Sequence, residues 1–486
     1  MKAVSLAQIV QAVDAQLLSG GTASETFVRG VSIDSRTVKK GDLFFALKGQ
    51  RTDGHSYVAA AFAAGAAAAV VSRVPEGLEN NGPSGFKPLL KVDDTLAALQ
   101  KLAGWYRRQF KLPAVGVTGS TGKTTAKDLI AAVLASRGPV LKTEENFNNE
   151  IGLPLTVLNL NEEHWAAVFE MGMRGRGEIA ELCRIARPTV GVITNVGHTH
   201  QELLGSIENI ARAKGELLEN LPSEGVAVLN GDDPRLRQLA EEARCRAVFF
   251  GIRTESDYCA RNIRLKGRRG VSFTLCMPDG TAVEIALPVP GEHNVLNALA
   301  AFAVGDQLGL SAEEMAKAVR GAKLSSRRLD FRSGPRGAII INDVYNANPD
   351  SMCAALRVLQ AVARDEAERS EGAAGRTPRS VAVLGEMYEL GDFCGEGHRL
   401  VGEEVAKLDV SFLVTVGELA AEIARGAKDA GFPASRVKSV QTNADAVQVL
   451  LEHLQAGDVI LVKGSRGMHM EEIVEAMEEV RRAEER

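Results

Sequence analysis

The chain has 486 residues, enough for two to four domains at roughly 100–200 residues each. Hydrophobic residues make up 45%, ordinary for filled globular cores. A formal net charge of −5 and an aromatic content of 5% exclude a broadly basic or aromatic-platform nucleic-acid binder.

Six cysteines (Cys183, Cys245, Cys259, Cys276, Cys353 and Cys394) form no CxxC pair, which argues against a disulfide framework or structural zinc and fits a reducing cytoplasm. The opening MKAVSLAQIVQAVDAQLL has helix-spaced apolar residues interrupted by Gln8, Gln11 and Asp14, so no signal peptide is read there. No apolar run reaches about eighteen residues, so no membrane span is expected.

Along the chain, FVRGVSID, DLFFAL and AAAVVS read as short strands among alanine-rich helices. AAAFAAGAAAAVV reads as a buried helix running into a strand. A boundary falls before Pro113. Then PAVGVT, AAVFE, VGVITN and VAVLN alternate with helical stretches, which predicts a largely parallel, doubly wound sheet. Residues 257–288 predict an antiparallel hairpin around MPDGT, followed by the helix NVLNALAAFAVGDQLG. After KLSSRRLDFRSG a second α/β unit begins with AIIIND, SVAVLGE, SFLVTVG and VILVKGS. The second half of ARDEAERSEGAAGRTPRS reads as a mobile loop.

TGSTGKTT, Thr118–Thr125, follows a strand and opens a helix, as a phosphate cradle does. Backbone N–H groups of Gly119, Ser120, Thr121, Gly122 and Thr125 would surround phosphate oxygens, with the helix N-terminus behind them. Lys123 would reach the terminal phosphates and Thr124 would ligate Mg²⁺. Val117 stands where the usual spacing has glycine, so the loop is a variant. Glu170 ends a following strand and is a metal candidate; on its own it reads equally well as a solvated glutamate. His198 and His200 follow the next strand, at the edge where open sheets collect ligands; their spacing alone is weak for zinc. Lys214, on IENIARAKGELLENL, reads from spacing alone as a solvated surface charge.

TGSTGKTT, FEMGMRGRGEI, TNVGHTH and RAKGELL together resemble the ATP-dependent Mur ligases of peptidoglycan synthesis. IDSRTVKKGDLFFALKGQRTDGH is similar to that family's uridine-nucleotide-binding segment. GEHNVLNALAA, SSRRLDF, INDVYNANPDSM, VLGEMYELG and LVKGSRGMHMEEIV resemble its later blocks in order. The resemblance implies an α/β fold in three domains. Residues 1–108 would bind the UDP-muramoyl group. Residues 109–325 would form the central ATP-binding P-loop domain. Residues 326–486 would form a Rossmann-like domain that closes over ATP.

EENFNNEIGLPLTVL resembles the member that adds D-alanyl-D-alanine to UDP-N-acetylmuramoyl-tripeptide; the alternatives are the preceding diamino-acid-adding member or, from another class, a P-loop switch. A GTPase switch would want an NKxD segment, which is lacking. A monomer is expected, and the resemblance implies ATP and Mg²⁺ as cofactors and carboxylate activation through an acyl phosphate. It implies Lys123, Glu170, His200 and Lys214 as the catalytic set. Thr124, Glu170, His200 and a carbamylated Lys214 would serve metal sites. Where many members have Glu or Pro and then Ala, this chain has His198 and Thr199, so the metal role is carried only to His200.

Asn294 and Asn297 would lie beside adenine, and Arg328 and Asp343 would close on a phosphate and the ribose. Ser35, Arg36, Lys48 and Gly49 would face the uridine diphosphate, and Asn148 and Asn149 the muramoyl-peptide portion. Tyr345, Asn346 and Asn348 would shape the dipeptide side, with Lys463, Ser465 and Arg466 on the dipeptide carboxylate. The C-terminal domain is expected to rotate inward when both nucleotides bind.

Overall fold

The computed structural model describes residues 1–18, 25–49, 51–76, 87–322, 324, 329–370 and 377–486. Its secondary structure gathers into three α/β units, each on its own sheet.

The first unit has a five-stranded sheet. Gly30–Ser32, Asp42–Phe45, Ala68–Val71 and Leu89–Lys91 run parallel, and Gln16–Leu17 pairs antiparallel with the last of these. The alanine-rich stretch forms the helix Val58–Ala64 and then the strand Ala68–Val71. Gly65 breaks the helix at φ 114°, a left-handed cap that a side chain resists.

The second unit is the nucleotide-cradle domain. Its elements are β1 (Ala114–Thr118), α1 (Lys123–Leu134), β2 (Val140–Lys142), β3 (Ala166–Glu170), β4 (Val190–Ile193), α2 (Ile207–Glu219) and α3 (Glu292–Gln307). β1 lies between β3 and β4, both parallel to it, and β2 pairs with the far side of β3. The chain thus leaves β1 for one edge and later returns to its other flank, which makes the carboxyl end of β1 a topological switch point. Val226–Asn230, Arg246–Gly251 and Tyr258–Leu265 continue the parallel sheet beyond β4, and Val271–Cys276 and Ala282–Leu287 add antiparallel strands to make nine.

β1 is buried from end to end because α1 and α3 cover one face and α2 the other. Val115, Val117, Leu129, Val133, Leu299 and Phe302 fill the α1–α3 side. Each such side chain contributes roughly 1.5–3 kcal/mol on burial. Leu299→Ala would therefore loosen the platform under the cradle.

The third unit has a six-stranded sheet. Ile339–Asn342, Ser380–Gly385, Phe412–Val416, Val437–Val440 and Val459–Lys463 are parallel, with Asp330–Ser333 antiparallel at one edge. Two of these strands, Asp330–Ser333 and Val437–Val440, were not singled out from the sequence. α4 (Pro349–Ser370) takes up most of the first half of ARDEAERSEGAAGRTPRS; most of the second half, expected as a mobile loop, lies outside the described residues (371–376), and Ser380 already starts the next strand.

Exposed arginines join the second and third units: Arg268 meets Glu366 and Arg269 meets Asp365, both at 2.9 Å. Such pairs are worth only about 0–1 kcal/mol each. Among the described residues, no helix is long and apolar enough to cross a membrane.

Candidate functional site

The cradle is held from the side by the segment after β4. Ser120 N–H donates to Asn195 O at 3.0 Å and Thr121 N–H to Asn195 Oδ1 at 2.9 Å. Thr194 Oγ1 donates to Thr121 O, and Ser120 Oγ to Gly197 O at 2.9 Å. Asn195 thus accepts from both of these backbone amides. The helical ladder starts with Ala126 N–H on Gly122 O at 2.8 Å, so the first-turn amides of α1 are the donors left for an anion. Lys123 Nζ folds back on Gly119 O at 2.6 Å.

Two glycines are required by space. Gly119 has φ 149°, and a Cβ there would sit 1.9 Å from Thr194 Oγ1. Gly122 has φ 79°, and its Cβ would sit 2.5 Å from Asn297 Oδ1. Asn297 therefore abuts the cradle. Its Nδ2 donates to Asn294 Oδ1 at 3.0 Å, and Asn294 Nδ2 donates to Pro290 O at 2.7 Å.

Glu170 ends β3 one strand from the cradle and is 2% exposed. Its N–H donates to Thr143 Oγ1 at 3.0 Å, and Asn148 Nδ2 donates to its Oε1 at 2.8 Å. Oε2 is buried with no hydrogen-bond partner. An ionised oxygen without a donor is costly to bury, so the position suits a cation. Among the described residues no three His, Cys, Asp or Glu side chains converge as a metal cage. A donor set of the buried Thr124 hydroxyl and one carboxylate is the kind Mg²⁺ uses when substrate oxygens and water complete its shell. The residues fit the ion.

Lys214, read from spacing as a surface charge, is 1% exposed on the inner face of α2. Burial lowers its pKa well below the usual value, and the positive charge of Lys123 nearby lowers it further. His200 has a left-handed backbone, and its Nδ1 lies 2.6 Å from Glu389 Oε2 of the third unit. The His200 ring beside it holds the Glu389 carboxyl below its usual range. His198 points elsewhere: it stacks on Phe393 at 4.1 Å and contacts Gln201 Oε1 at 2.8 Å.

On the third unit, Lys463 is 3% exposed. Its Nζ donates to Asp343 Oδ2 at 2.6 Å and Asn346 O at 2.9 Å. Two residues expected on different substrates are thus paired with each other. Ser465 is also buried, with Oγ accepting Tyr388 N–H at 2.9 Å, and Asn348 caps α4 by accepting Ser351 N–H at 2.8 Å. Arg466 is exposed over the Tyr345 ring, 5.6 Å from its centroid. Arg328 lies outside the described residues.

His293, which sequence reasoning passed over, stands opposite this group. It is half-buried, and desolvation pushes its pKa down to about 4 despite Asp343 nearby. The adjoining Asn294 was the signal that could have found it.

In the first unit Ser35, Arg36, Lys48 and Gly49 lie at the surface. Arg36 is drawn to Asp34 at 2.6 Å. Lys48 and Asp53 form an isolated antiparallel backbone bridge, and Asp53 Oδ1 contacts His55 Nδ1 at 2.6 Å. His55 Nε2 accepts Ser72 N–H at 2.9 Å, and Arg73 donates to Asp53 Oδ2 at 2.7 Å. Asn149 Oδ1 caps the helix Gly152–Val157 from outside, accepting Gly152 N–H at 2.9 Å.

A nucleotide cradle at a switch point, beside a buried carboxylate and faced by a second α/β unit, defines a P-loop enzyme of the ligase type. Three family models match in succession: "Mur ligase family, catalytic domain" over residues 27–107, "Mur ligase middle domain" over 117–305, and "Mur ligase, glutamate ligase domain" over 327–466. The chain belongs to the Mur ligase family.

It is 40% identical to the UDP-N-acetylmuramoyl-tripeptide–D-alanyl-D-alanine ligase of Bacillus subtilis, over 95% of this chain and 96% of that one. It is 34% identical to the Escherichia coli ligase of the same name, over 99% of each. Among solved structures, MurF from Acinetobacter baumannii superposes with a TM-score of 0.86 at 32% identity, covering 99% of each chain. MurF from Thermotoga maritima in complex with ADP superposes at 0.78 and 28% identity, covering 93% of this chain and 97% of that one.

Proposed function

We propose that this chain uses ATP to join D-alanyl-D-alanine to UDP-N-acetylmuramoyl-tripeptide, giving the pentapeptide and ADP. The observation that carries this reading is the full-length likeness to ligases of that name, on a chain whose cradle and buried Glu170 are both in place.

The tripeptide carboxylate attacks the γ-phosphate and becomes an acyl phosphate; the dipeptide amine then attacks the acyl carbon and phosphate leaves. Bringing a carboxylate to a triphosphate is opposed by repulsion of about 4 kcal/mol per charge pair at 4 Å and an effective dielectric near 20. The first turn of α1 and Lys123 supply positive potential at the phosphates. Thr124 and Glu170 would hold Mg²⁺, which supplies charge neutralisation between phosphate oxygens. His200 and Lys214 would serve a second metal position. Lys214 suits it only as an anion, and its depressed pKa supports the neutral amine that CO₂ must meet to form a carbamate.

Asn297 and His293 line the adenine side. Asp343, held by Lys463, faces the ribose, and Arg466 is the exposed fork for the dipeptide carboxylate. Lys48 and Gly49 receive the uridine diphosphate, and Asn148 the muramoyl-peptide portion. The site of action is the cytoplasm, where ATP and the nucleotide precursor are found together.

A phosphate-release assay decides the reading. Turnover is expected with UDP-muramoyl-tripeptide plus D-alanyl-D-alanine. Turnover only with UDP-muramoyl-dipeptide plus a diamino acid overturns it.

A further inference from the structure

We propose that Lys127 is a positioning residue that sets segment 143–149 against Glu170, and so couples binding of the muramoyl-peptide substrate to the carboxylate beside the cradle. The inference rests on the function proposed above.

Lys127 lies one helical turn beyond Lys123 on α1, and its side chain is fully buried. Long ammonium side chains are almost never buried completely without a partner. Here Nζ donates to Thr143 O at 2.8 Å and lies 3.1 Å from Asp128 Oδ1. Lys142 shares the same Asp128 oxygen at 2.9 Å. Two ammonium groups thus share one carboxylate oxygen, and the Thr143 carbonyl accepts from the fully buried one.

Thr143 is fully buried, and each of its polar groups is committed. Its N–H donates to Val168 O at 3.0 Å, its Oγ1 accepts Glu170 N–H at 3.0 Å, and its carbonyl takes Lys127. Five residues further on, at Asn148, the chain is tied to the end of β3 again. Gly172 N–H donates to Asn148 O at 2.8 Å, and Asn148 Nδ2 reaches Glu170 Oε1 at 2.8 Å. Segment 143–149 is therefore clamped to the end of β3 at both of its ends, and Lys127 holds the first clamp from behind. A lysine needed only for core packing could be any apolar side chain. This one spends its donors on the carbonyl of the residue that fixes Glu170.

The test uses the full chain carrying Lys127→Met, in which Asp128 keeps Lys142. Hydrogen exchange is measured along the backbone, and binding of UDP-muramoyl-tripeptide and of ADP by calorimetry. We expect faster exchange confined to residues 143–149. Affinity for the UDP-substrate should fall about tenfold or more, the scale of a lost hydrogen bond to a charged group, with ADP affinity changed by less than about twofold. Thr143→Val, which removes the acceptor for Glu170 N–H, should show the same split and carries the test if Lys127→Met fails to fold. Unchanged exchange in 143–149, or equal weakening of both ligands, overturns the proposal. If the unaltered chain does not bind the UDP-substrate, the proposed function falls, and the exchange measurement still decides the role of Lys127.

Discussion

Asn148 donates from Nδ2 to Glu170 Oε1 across 2.8 Å, while Glu170 Oε2 lies buried with no hydrogen-bond partner. The segment expected on the substrate thus already holds the carboxylate expected on the metal. One oxygen is oriented by the protein and the other would be free to meet a cation.

Replacing Glu170 separates activity from stability. Glu170→Gln keeps the shape but removes the charge. Its kcat should fall on the order of 10²–10³-fold, as when a preorganised electrostatic partner is lost. Thermal stability without ligands should hold or rise, because a neutral amide is cheaper to bury than an unpaired carboxylate. Single-turnover phosphate release and a melting curve check both; a variant that melts early would mean that Glu170 serves the fold.

Lys214 predicts a pH dependence of stability. Its folded pKa is lowered, so between that value and about 10.4 the unfolded chain binds one more proton than the folded chain. Stability in CO₂-free buffer therefore rises with pH across that window. Lys214→Met removes the dependence: its advantage over the unaltered chain should be largest toward neutral pH and shrink as pH approaches about 10.4. Urea unfolding at several pH values measures this. In a parallel assay, Lys214→Ala should lose activity and regain part of it with added short carboxylates; full activity without rescue would exclude a carbamate role.

The cradle glycines predict a graded loss. Gly119→Ala must push Thr194 aside from 1.9 Å, and Gly122→Ala must push the end of Asn297 from 2.5 Å; both also strain a positive φ. ADP affinity should fall in both variants, more for Gly119→Ala, because Thr194 is anchored by its N–H on Thr118 O and its hydroxyl on Thr121 O. Left-handed backbone at a non-glycine residue costs about 1–3 kcal/mol by itself. Calorimetric titration with ADP ranks the two.

His55 in the first unit is a structural prediction. His55→Ala leaves Ser72 N–H and Asp53 without a shared partner in a site only 3% exposed, and should destabilise the unit by about 2–3 kcal/mol. Asp53 has its pKa lowered by hydrogen bonds from His55 and Arg73. Its contribution is therefore present above the ordinary carboxylate pKa of about 3.9 and is lost as pH falls below it. Denaturant unfolding of Asp53→Asn should show a weaker acid limb than the unaltered chain.

Much of the fold was legible because it depends on local pattern. β1, β3 and β4 are continuous apolar runs, and TGSTGKTT can only sit between a strand and a helix. The edge strands Asp330–Ser333 and Val437–Val440 were missed because short, polar edge strands carry little periodic signal. Of the site, the cradle and Glu170 could be found by motif. The pairing of Lys463 with Asp343 could not, since Lys463 ends one strand of the third sheet and Asp343 follows another, 120 residues earlier in the chain.

By itself, the sequence determined the cradle, the alternation of strand and helix, and the family resemblance, because those are properties of residues close together in the chain. Only the tertiary structure decided which polar groups are already in use. Asn195 takes two cradle amides, Lys463 is held by Asp343, and His200 meets Glu389. It also turned Lys214 and Lys127, two ordinary helical lysines in sequence, into buried groups. The physical reason is that charge state and hydrogen-bond availability depend on desolvation and on partners distant in sequence, which packing alone brings together.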